Sequence, residues 1–398
     1  MKWSEKMRLA IICPESRPVP AIRGGAVETL VDLLIQNNET QKAVDLAVYS
    51  VYDPDAEEKA QKQTQEVFYY IRPQHPLNQI FDWINRIAVK MHHHLFLNVY
   101  LHRVIRQISK QRYDWIIVEN RPLFIRMLRK KLGNQTRIAL HLHNDTLSHE
   151  KWYSARVISD CDRILCISDF INRRVRQAAR NVRDREKACL LYNRIDPVLF
   201  CPQTRQEKDL PALLAEPCTT VLYYGRMISQ KGVLELVQAF RLALDREPAL
   251  HLTLIGKAQD PQYTAELKKA LEKIPADHYT VLPPIDHHSL PVYLARADLV
   301  VLPSLWNEPF GLTIAESMSM EKPVIATSTG AIPELLAEDC GLLIKPGAQM
   351  INDLAQAILD LAKNQTLRRR ISRNARRKII DHFHARNYLA DLLALLDE

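Results

Sequence analysis

Short apolar runs of strand length alternate with longer stretches of helical periodicity along most of this chain, and that alternation leaves few folds open. Two series are present. The first offers strands near 8–13, 45–51, 114–118, 137–142, 163–167 and 188–192, and the second near 219–224, 250–255, 279–282, 298–302, 323–326 and 341–344. Such alternation specifies parallel sheets covered by helices on both faces. Residues 201–217 carry three prolines and no strand pattern, so the boundary between two α/β domains is expected there. The chain has 398 residues, enough for each half to bury its own core. Beyond Gly347 the pattern is helical throughout.

Composition narrows the class further. Hydrophobic residues make up 47% and charged residues 25%, which excludes a disordered chain. No apolar run approaches the roughly 20 residues a membrane-crossing helix needs, and Leu9–Cys13 is too short for a secretory core. A cytoplasmic location is expected. The seven cysteines include no CxxC pair, which argues against a disulfide framework and a zinc site.

The net charge of +8 is uneven: the first 200 residues carry +10 and the rest −2. Much of the excess lies between Arg86 and Lys131, where only Asp114 and Glu119 are acidic. A basic first half attracts an anionic partner. A helical stretch over 79–110 mixes Ile80, Trp83, Ile84, Ile87 and Met91 with Arg86, Lys90, Arg103 and Arg106. It reads either as a helix or helix pair packed on its own sheet or as a surface for an anionic membrane. His92, His93 and His94 point about 100° apart on a helix and do not converge on one ion. The arginines of 368–377 read as a solvated helix face, and no aromatic-interleaved basic motif points to nucleic acid.

In doubly wound sheets, ligands bind beyond the carboxyl ends of the strands. The chain has only ten glycines, and several fall there. Gly24 and Gly25 precede an apolar helical pattern after the first strand, and Gly225 and Gly232 flank Arg226 and Lys231 after the first strand of the second series. Two cations in a strand-to-helix loop suit a diphosphate, because the following helix aims its positive dipole end at the same space. The loop lacks Walker spacing, and the first half lacks a GxGxxG fingerprint. Further on, Asn307-Glu308-Pro309-Phe310-Gly311-Leu312 leads into a helix carrying Glu316. Its two carboxylates can accept bonds from sugar hydroxyls, and the amides of Phe310, Gly311 and Leu312 can hold a phosphate.

These strings resemble retaining GT-B glycosyltransferases of glycosyltransferase family 4. The resemblance rests on PVPAIRGGAVE (18–28), HLHND (141–145), CISDFI (166–171), LYNRIDPVLF (191–200), YYGRMISQKG (223–232), ADLVVLPSLWNEPFGLTIAE (297–316) and KPVIATSTGAIPELL (322–336), and covers essentially the whole chain. It implies two Rossmann-like domains facing across a cleft: 1–200 on the acceptor side, a linker at 201–217, a donor domain at 218–380, and 381–398 returning to the first domain. It implies that Arg226 and Lys231 hold the diphosphate of a nucleotide sugar, Glu316 the ribose and Glu308 the donor sugar. Gly225, Asn307, Phe310, Gly311 and Leu312 would line the donor site. Gly24 and Gly25 would let backbone approach the diphosphate, and His143 would lie near the donor sugar. Glu119, Asn120 and Asn144 are the candidates for acceptor contact. No metal or other cofactor is implied, although Asp53-Pro54-Asp55 and Asp160-Cys161-Asp162 are DxD triplets. One departure is Asn193-Arg194-Ile195-Asp196, where the family often has glycine after the asparagine; arginine puts the usual loop geometry in doubt.

The expected activity is transfer of a hexose from a UDP-sugar to a glycan or lipid-linked acceptor in surface polysaccharide synthesis, at the inner face of the plasma membrane if the acceptor is lipid-linked. Rivals are a phosphorylase or sugar-phosphate synthase of the same fold, and a non-catalytic nucleotide-sugar or glycan-binding protein.

Overall fold

A computed structural model describes residues 6–62, 66–74, 76–93, 96–202 and 218–397. Two compact units emerge. One comprises Met1–Asn193 with Arg386–Glu398, and the other Arg194–Ala385. The linker expected at 201–217 lies outside the described residues from 203 onward.

In the first unit seven strands form one parallel sheet: β1 (Arg8–Ile12), β2 (Asp45–Val51), β3 (Glu66–Ile71), β4 (Trp115–Glu119), β5 (Arg137–Leu142), β6 (Arg163–Cys166) and β7 (Ala188–Leu190), in the order β3-β2-β1-β4-β5-β6-β7. Register is fixed by buried apolar residues: Leu9 pairs with Leu46 on one side and Trp115 on the other. The second unit repeats the plan with β8 (Thr219–Tyr224), β9 (Leu250–Ile255), β10 (Tyr279–Leu282), β11 (Leu299–Leu302), β12 (Val324–Thr327) and β13 (Leu342–Ile344), ordered β10-β9-β8-β11-β12-β13. In each sheet the winding reverses beside the first strand, between β1 and β4 and between β8 and β11. A crevice opens at the carboxyl ends of such a pair.

Strand β3, Glu-Val-Phe-Tyr-Tyr-Ile, was not among the expected strands. It is an edge strand whose residues after Glu66 are exposed or half-buried, so it lacks the wholly apolar run of its neighbours. Its β-branched and aromatic content is the signal that marks it.

The stretch 79–110 is two helices, Asn78–Lys90 and Val99–Ile108. His92 has φ of +53°, and Asn98 starts the second helix by accepting from Leu101 N. Asn85 pins the break, bonding Leu97 through both its amide nitrogen and its oxygen. His94 lies outside the described residues.

Helix Tyr388–Asp397 packs on helix Ala26–Gln41 in the first unit. Tyr388, Leu389, Leu392 and Leu396 enter the same buried cluster as Leu30, Val31, Leu34 and Ile35. In the second unit Arg194 needs no positive φ. Its Nη1 donates to the carbonyl of His382, and Ile195 bridges to His384. Several of the arginines read as a solvated face are engaged: Arg368 donates to Leu361 and Ala362 carbonyls, Arg376 to Ser319 and Phe200, and Arg370 pairs with Asp339.

Candidate functional site

Beyond the ends of β8 and β11 lies a cavity of about 240 Å³, whose lining includes Gly225, Arg226, Lys231, Ser304, Glu308 and Gly311. The sequence positions these residues through close backbone approaches. Gly232, with φ of +65°, sits where a Cβ would fall 2.1 Å from the carbonyl oxygen of Pro303. Gly330 admits the backbone of Glu308: a Cβ there would lie 2.2 Å from the Glu308 carbonyl oxygen and 2.5 Å from its nitrogen. Ala331 N then donates to the Glu308 carbonyl at 2.8 Å. Loop 303–311 is thereby fixed on two sides.

Glu308 is only 7% exposed. Its Oε1 accepts from Lys231 Nζ at 2.5 Å and from Ser304 Oγ. The ammonium also lies over the Trp306 ring, 5.6 Å from its centroid. Arg226 is exposed, and among the described residues no carboxylate pairs with it. Helix Leu312–Ser319 begins at Gly311 (φ +105°) without a side-chain cap. Its first N–H groups precede the intrahelical bonds and carry the positive end of the dipole. The site thus offers two cations and helix amides to an anion, and an ionisable acid to polar groups beside it.

Glu316 lies behind Tyr224 in that helix. Its Oε1 receives His287 Nε2 at 2.8 Å, and its Oε2 lies 3.3 Å from the Tyr224 hydroxyl. The hydrogen bond to Glu316 raises the His287 pKa, against the opposing effect of burial. Phe310 is expected in the donor site, but its ring is buried against Phe383, with centroids 5.8 Å apart, so only its backbone is available to a ligand. Asn307 is exposed and Leu312 half-buried; both lie outside the cavity lining. Ser304, Tyr224 and His287 were not singled out from the sequence. Ser304 and Tyr224 fall within recognisable strings, whereas His287 reaches Glu316 only through tertiary structure.

In the first unit, the carboxyl ends of β1, β4 and β5 gather the remaining candidates. Gly25 begins helix Ala26–Gln41, and a Cβ on it would lie 2.1 Å from Glu28 Oε2. Gly24, with φ of +62°, has nothing within 4 Å of where its Cβ would be. His143 Nε2 lies 2.7 Å from Glu119 Oε2, and His141 Nδ1 lies 3.1 Å from the same oxygen. Burial pushes the Glu119 pKa up, but the charge of His141 and the hydrogen bonds of both histidines more than offset it, leaving the carboxyl at about 2. Burial, and then repulsion from His141, depress the His143 imidazole to about 4.

This arrangement corrects the acceptor assignment of Glu119. The residue is 0% exposed and its carboxylate faces two histidines, so it holds His143 and presents nothing to a ligand. Asn120 adopts φ of +52° and receives His143 N on its Oδ1 at 3.2 Å. Asn144 is exposed.

Among the described residues, Glu119, His141 and His143 form the one cluster of three potential metal ligands. Their mutual hydrogen bonds account for the cluster. The outward nitrogens, His141 Nε2 and His143 Nδ1, are buried without partners, whereas metal-bound histidines ordinarily donate their second nitrogen to an acceptor. The DxD triplets have other partners: Asp53 caps helix Pro54–Ala60 and pairs with Arg23, Asp162 pairs with Arg129, and Asp160 with Arg156.

Residues 205–378 match the family model for glycosyl transferases group 1. The chain is 26% identical to the putative glycosyltransferase YtcC of Bacillus subtilis (strain 168), over 94% of this chain and 88% of that protein. It is 24% identical to spore coat protein SA of the same organism, over 98% and 100%. Among solved structures, Anabaena HepE in complex with UDP and glucose superposes with a TM-score of 0.73 at 18% identity, covering 98% of this chain and 99% of that one. Sucrose-phosphate synthase from Thermosynechococcus elongatus gives 0.74 at 19%, covering 98% of each. The fold is GT-B, and these findings together support a GT-B glycosyltransferase.

Proposed function

We propose that this chain is a retaining glycosyltransferase of family 4 type that moves a hexose from a UDP-sugar to a glycan or lipid-linked acceptor, in the assembly of a surface polysaccharide. The observation that carries this reading is the convergence of Arg226, Lys231, Glu308 and the start of helix Leu312–Ser319 on one cavity. That set matches a sugar joined to a diphosphate, and HepE, of the same fold, holds UDP-glucose in its crystal structure.

In this reading Arg226, Lys231 and the helix amides bind the diphosphate and stabilise the charge that builds on it as the bond to the anomeric carbon breaks. The electron pair leaves with the phosphate oxygen. The acceptor hydroxyl attacks from the same face, and its proton passes to the departing phosphate, which gives retention. Glu308 orients the sugar through its hydroxyls, while Glu316 takes the ribose diol. No step requires a metal. Gly24, Gly25 and His143 serve the donor, and Asn120 and Asn144 the acceptor.

Among the described residues no helix is long and apolar enough to cross a membrane. Helix Asn78–Lys90 exposes Ile80, Trp83 and Ile87 beside Arg86 and Lys90, a combination suited to the surface of an acidic bilayer carrying a lipid-linked acceptor. We place the enzyme at such a cytoplasmic surface.

A second reading, sugar-phosphate synthesis, draws on the sucrose-phosphate synthase likeness. Calorimetry with UDP-, GDP- and ADP-sugars tests the donor, with binding of the preferred nucleotide sugar expected to be lost in Glu316→Ala. Equal binding by both proteins would remove the ribose assignment. Product analysis with a sugar phosphate or a glycan as acceptor separates the two readings.

A further inference from the structure

The carboxylate of Glu316 does not stand alone. It lies in a helix, and the group that meets its Oε1 comes from elsewhere in the chain: His287, in the loop between β10 and helix Leu290–Arg296. That loop is rigid for local reasons. Pro283 and Pro284 lead into it, and Asp286 Oδ1 accepts from His288 N at 3.0 Å and Ser289 N at 3.1 Å, closing a turn around His287. The imidazole is also steadied from the side. It meets the buried Phe200 ring edge-on, with centroids 5.1 Å apart, and Phe200 is itself fixed by Ser319 Oγ donating to its carbonyl at 2.8 Å.

The Tyr224 hydroxyl cannot do the same work. It has one proton, and its shortest contact is to the Thr313 carbonyl at 2.5 Å, with Ser317 Oγ at 3.1 Å. At 3.3 Å from Glu316 Oε2 it is the weaker neighbour. His287 Nε2, at 2.8 Å, is the donor that sets the rotation of the carboxylate. Each carboxylate oxygen accepts more than one hydrogen bond, so a carboxylate held this way keeps acceptor sites for a vicinal diol.

We propose that His287 is a positioning residue for the ribose subsite: by donating Nε2–H to Glu316 it fixes the carboxylate so that it recognises the 2′- and 3′-hydroxyls together, and it thereby sets discrimination between ribonucleotides and 2′-deoxyribonucleotides. This rests on the assignment of Glu316 to ribose. A site built to bond a hydroxyl rejects a ligand lacking it because its own polar groups are left unpaired, and that rejection requires a fixed geometry. A carboxylate free to rotate into water loses little when one hydroxyl is missing.

The test is calorimetric affinity for UDP and for 2′-deoxy-UDP in the unaltered protein, His287→Ala, His287→Gln and Glu316→Ala, with the ratio of the two dissociation constants as the readout. A purely structural loss weakens both ligands alike and leaves the ratio unchanged. In His287→Ala the ratio is expected to fall about fivefold to tenfold, mainly through weaker UDP binding. His287→Gln, whose amide can donate to the same oxygen, is expected to recover most of it. An unchanged ratio in His287→Ala, with the ratio lost in Glu316→Ala, overturns the role of His287 alone. A ratio retained in Glu316→Ala overturns the ribose assignment and this proposal with it. A ratio lost in His287→Ala but not recovered by glutamine shows that packing on Phe200 sets the subsite, and removes the donor role.

Discussion

Lys231 Nζ and Glu308 Oε1 lie 2.5 Å apart although 77 residues separate them in sequence. The contact joins the loop after β8 to the loop after β11, the two strands that flank the point where the second sheet reverses its winding. A lysine already paired with an acid is held in one place before any phosphate arrives, so little reorganisation is left for the reaction itself.

Replacing Lys231 with alanine should lower kcat/KM for transfer by about 10²–10³ and weaken UDP binding, because in our proposal the charge serves both the bound and the departing diphosphate. Glu308→Gln should lower kcat while leaving UDP affinity within about threefold, since in our reading that carboxylate touches the sugar and not the nucleotide. Steady-state kinetics with calorimetry on the same preparations checks both. UDP affinity unaltered in Lys231→Ala would contradict the diphosphate assignment.

Gly330→Ala places a methyl group against both backbone polar atoms of Glu308, at a residue whose φ is +56°. The second unit should lose about 2–3 kcal/mol of stability from overpacking and strain, and transfer should fall as the Glu308 loop is displaced. Urea unfolding followed by a probe in the second unit measures the first effect. A loss below about 0.5 kcal/mol would show that the approach can relax.

Acid should weaken the first unit through His143. Its folded pKa, about 4, lies below the usual histidine value, so the unfolded chain binds the proton first. The stabilisation from keeping this imidazole neutral is present above about pH 6.5 and is lost progressively as pH falls toward 4. Glu119, held at about 2, has the same sign at lower pH: its contribution is present above the ordinary glutamate range and disappears as pH falls toward 2. Between pH 7 and 5 the loss from His143 is of order 1–2 kcal/mol. Thermal unfolding of His143→Gln over this range should show a flatter pH dependence than the unaltered protein, and an equally steep one would place the acid sensitivity elsewhere.

Trp83→Ser with Ile87→Ser should reduce binding to vesicles rich in phosphatidylserine by about tenfold or more, with UDP affinity unchanged, because the helix Asn78–Lys90 exposes these side chains. Sedimentation with vesicles provides the measurement. Retention of full binding would exclude this face.

The fold could be read from the sequence wherever both faces of a strand are buried. Ile11, Val118, Leu222 and Val300 sit in unbroken apolar runs that specify central parallel strands. The edge strand β3 escapes that test because one side of it meets solvent. In the second unit the grouping of Gly225, Arg226, Lys231 and Glu308 around one cavity was legible because strand ends and helix starts bring them together by topology. What could not be read is which side chain turns inward. Glu119 and Asn120 are adjacent, and only three-dimensional packing shows that the first is sealed against two histidines. His287 belongs to the same class, since nothing near it in sequence hints at Glu316.

Leu392 and Leu396 fill the cluster beneath helix Ala26–Gln41, and truncating either to alanine should cost about 2–5 kcal/mol in the first unit. Chemical denaturation with a first-unit probe tests this, and a cost under about 1 kcal/mol would mean the helix adds little.

That same packing imposes a schedule on biosynthesis. A ribosome must translate all of 194–385 before it can supply the side chains that close the hydrophobic floor under Leu30 and Leu34. Until then the nascent amino-terminal half carries an open greasy seam, and a premature stop codon near 386 would leave it open for good, harming the half of the protein made first.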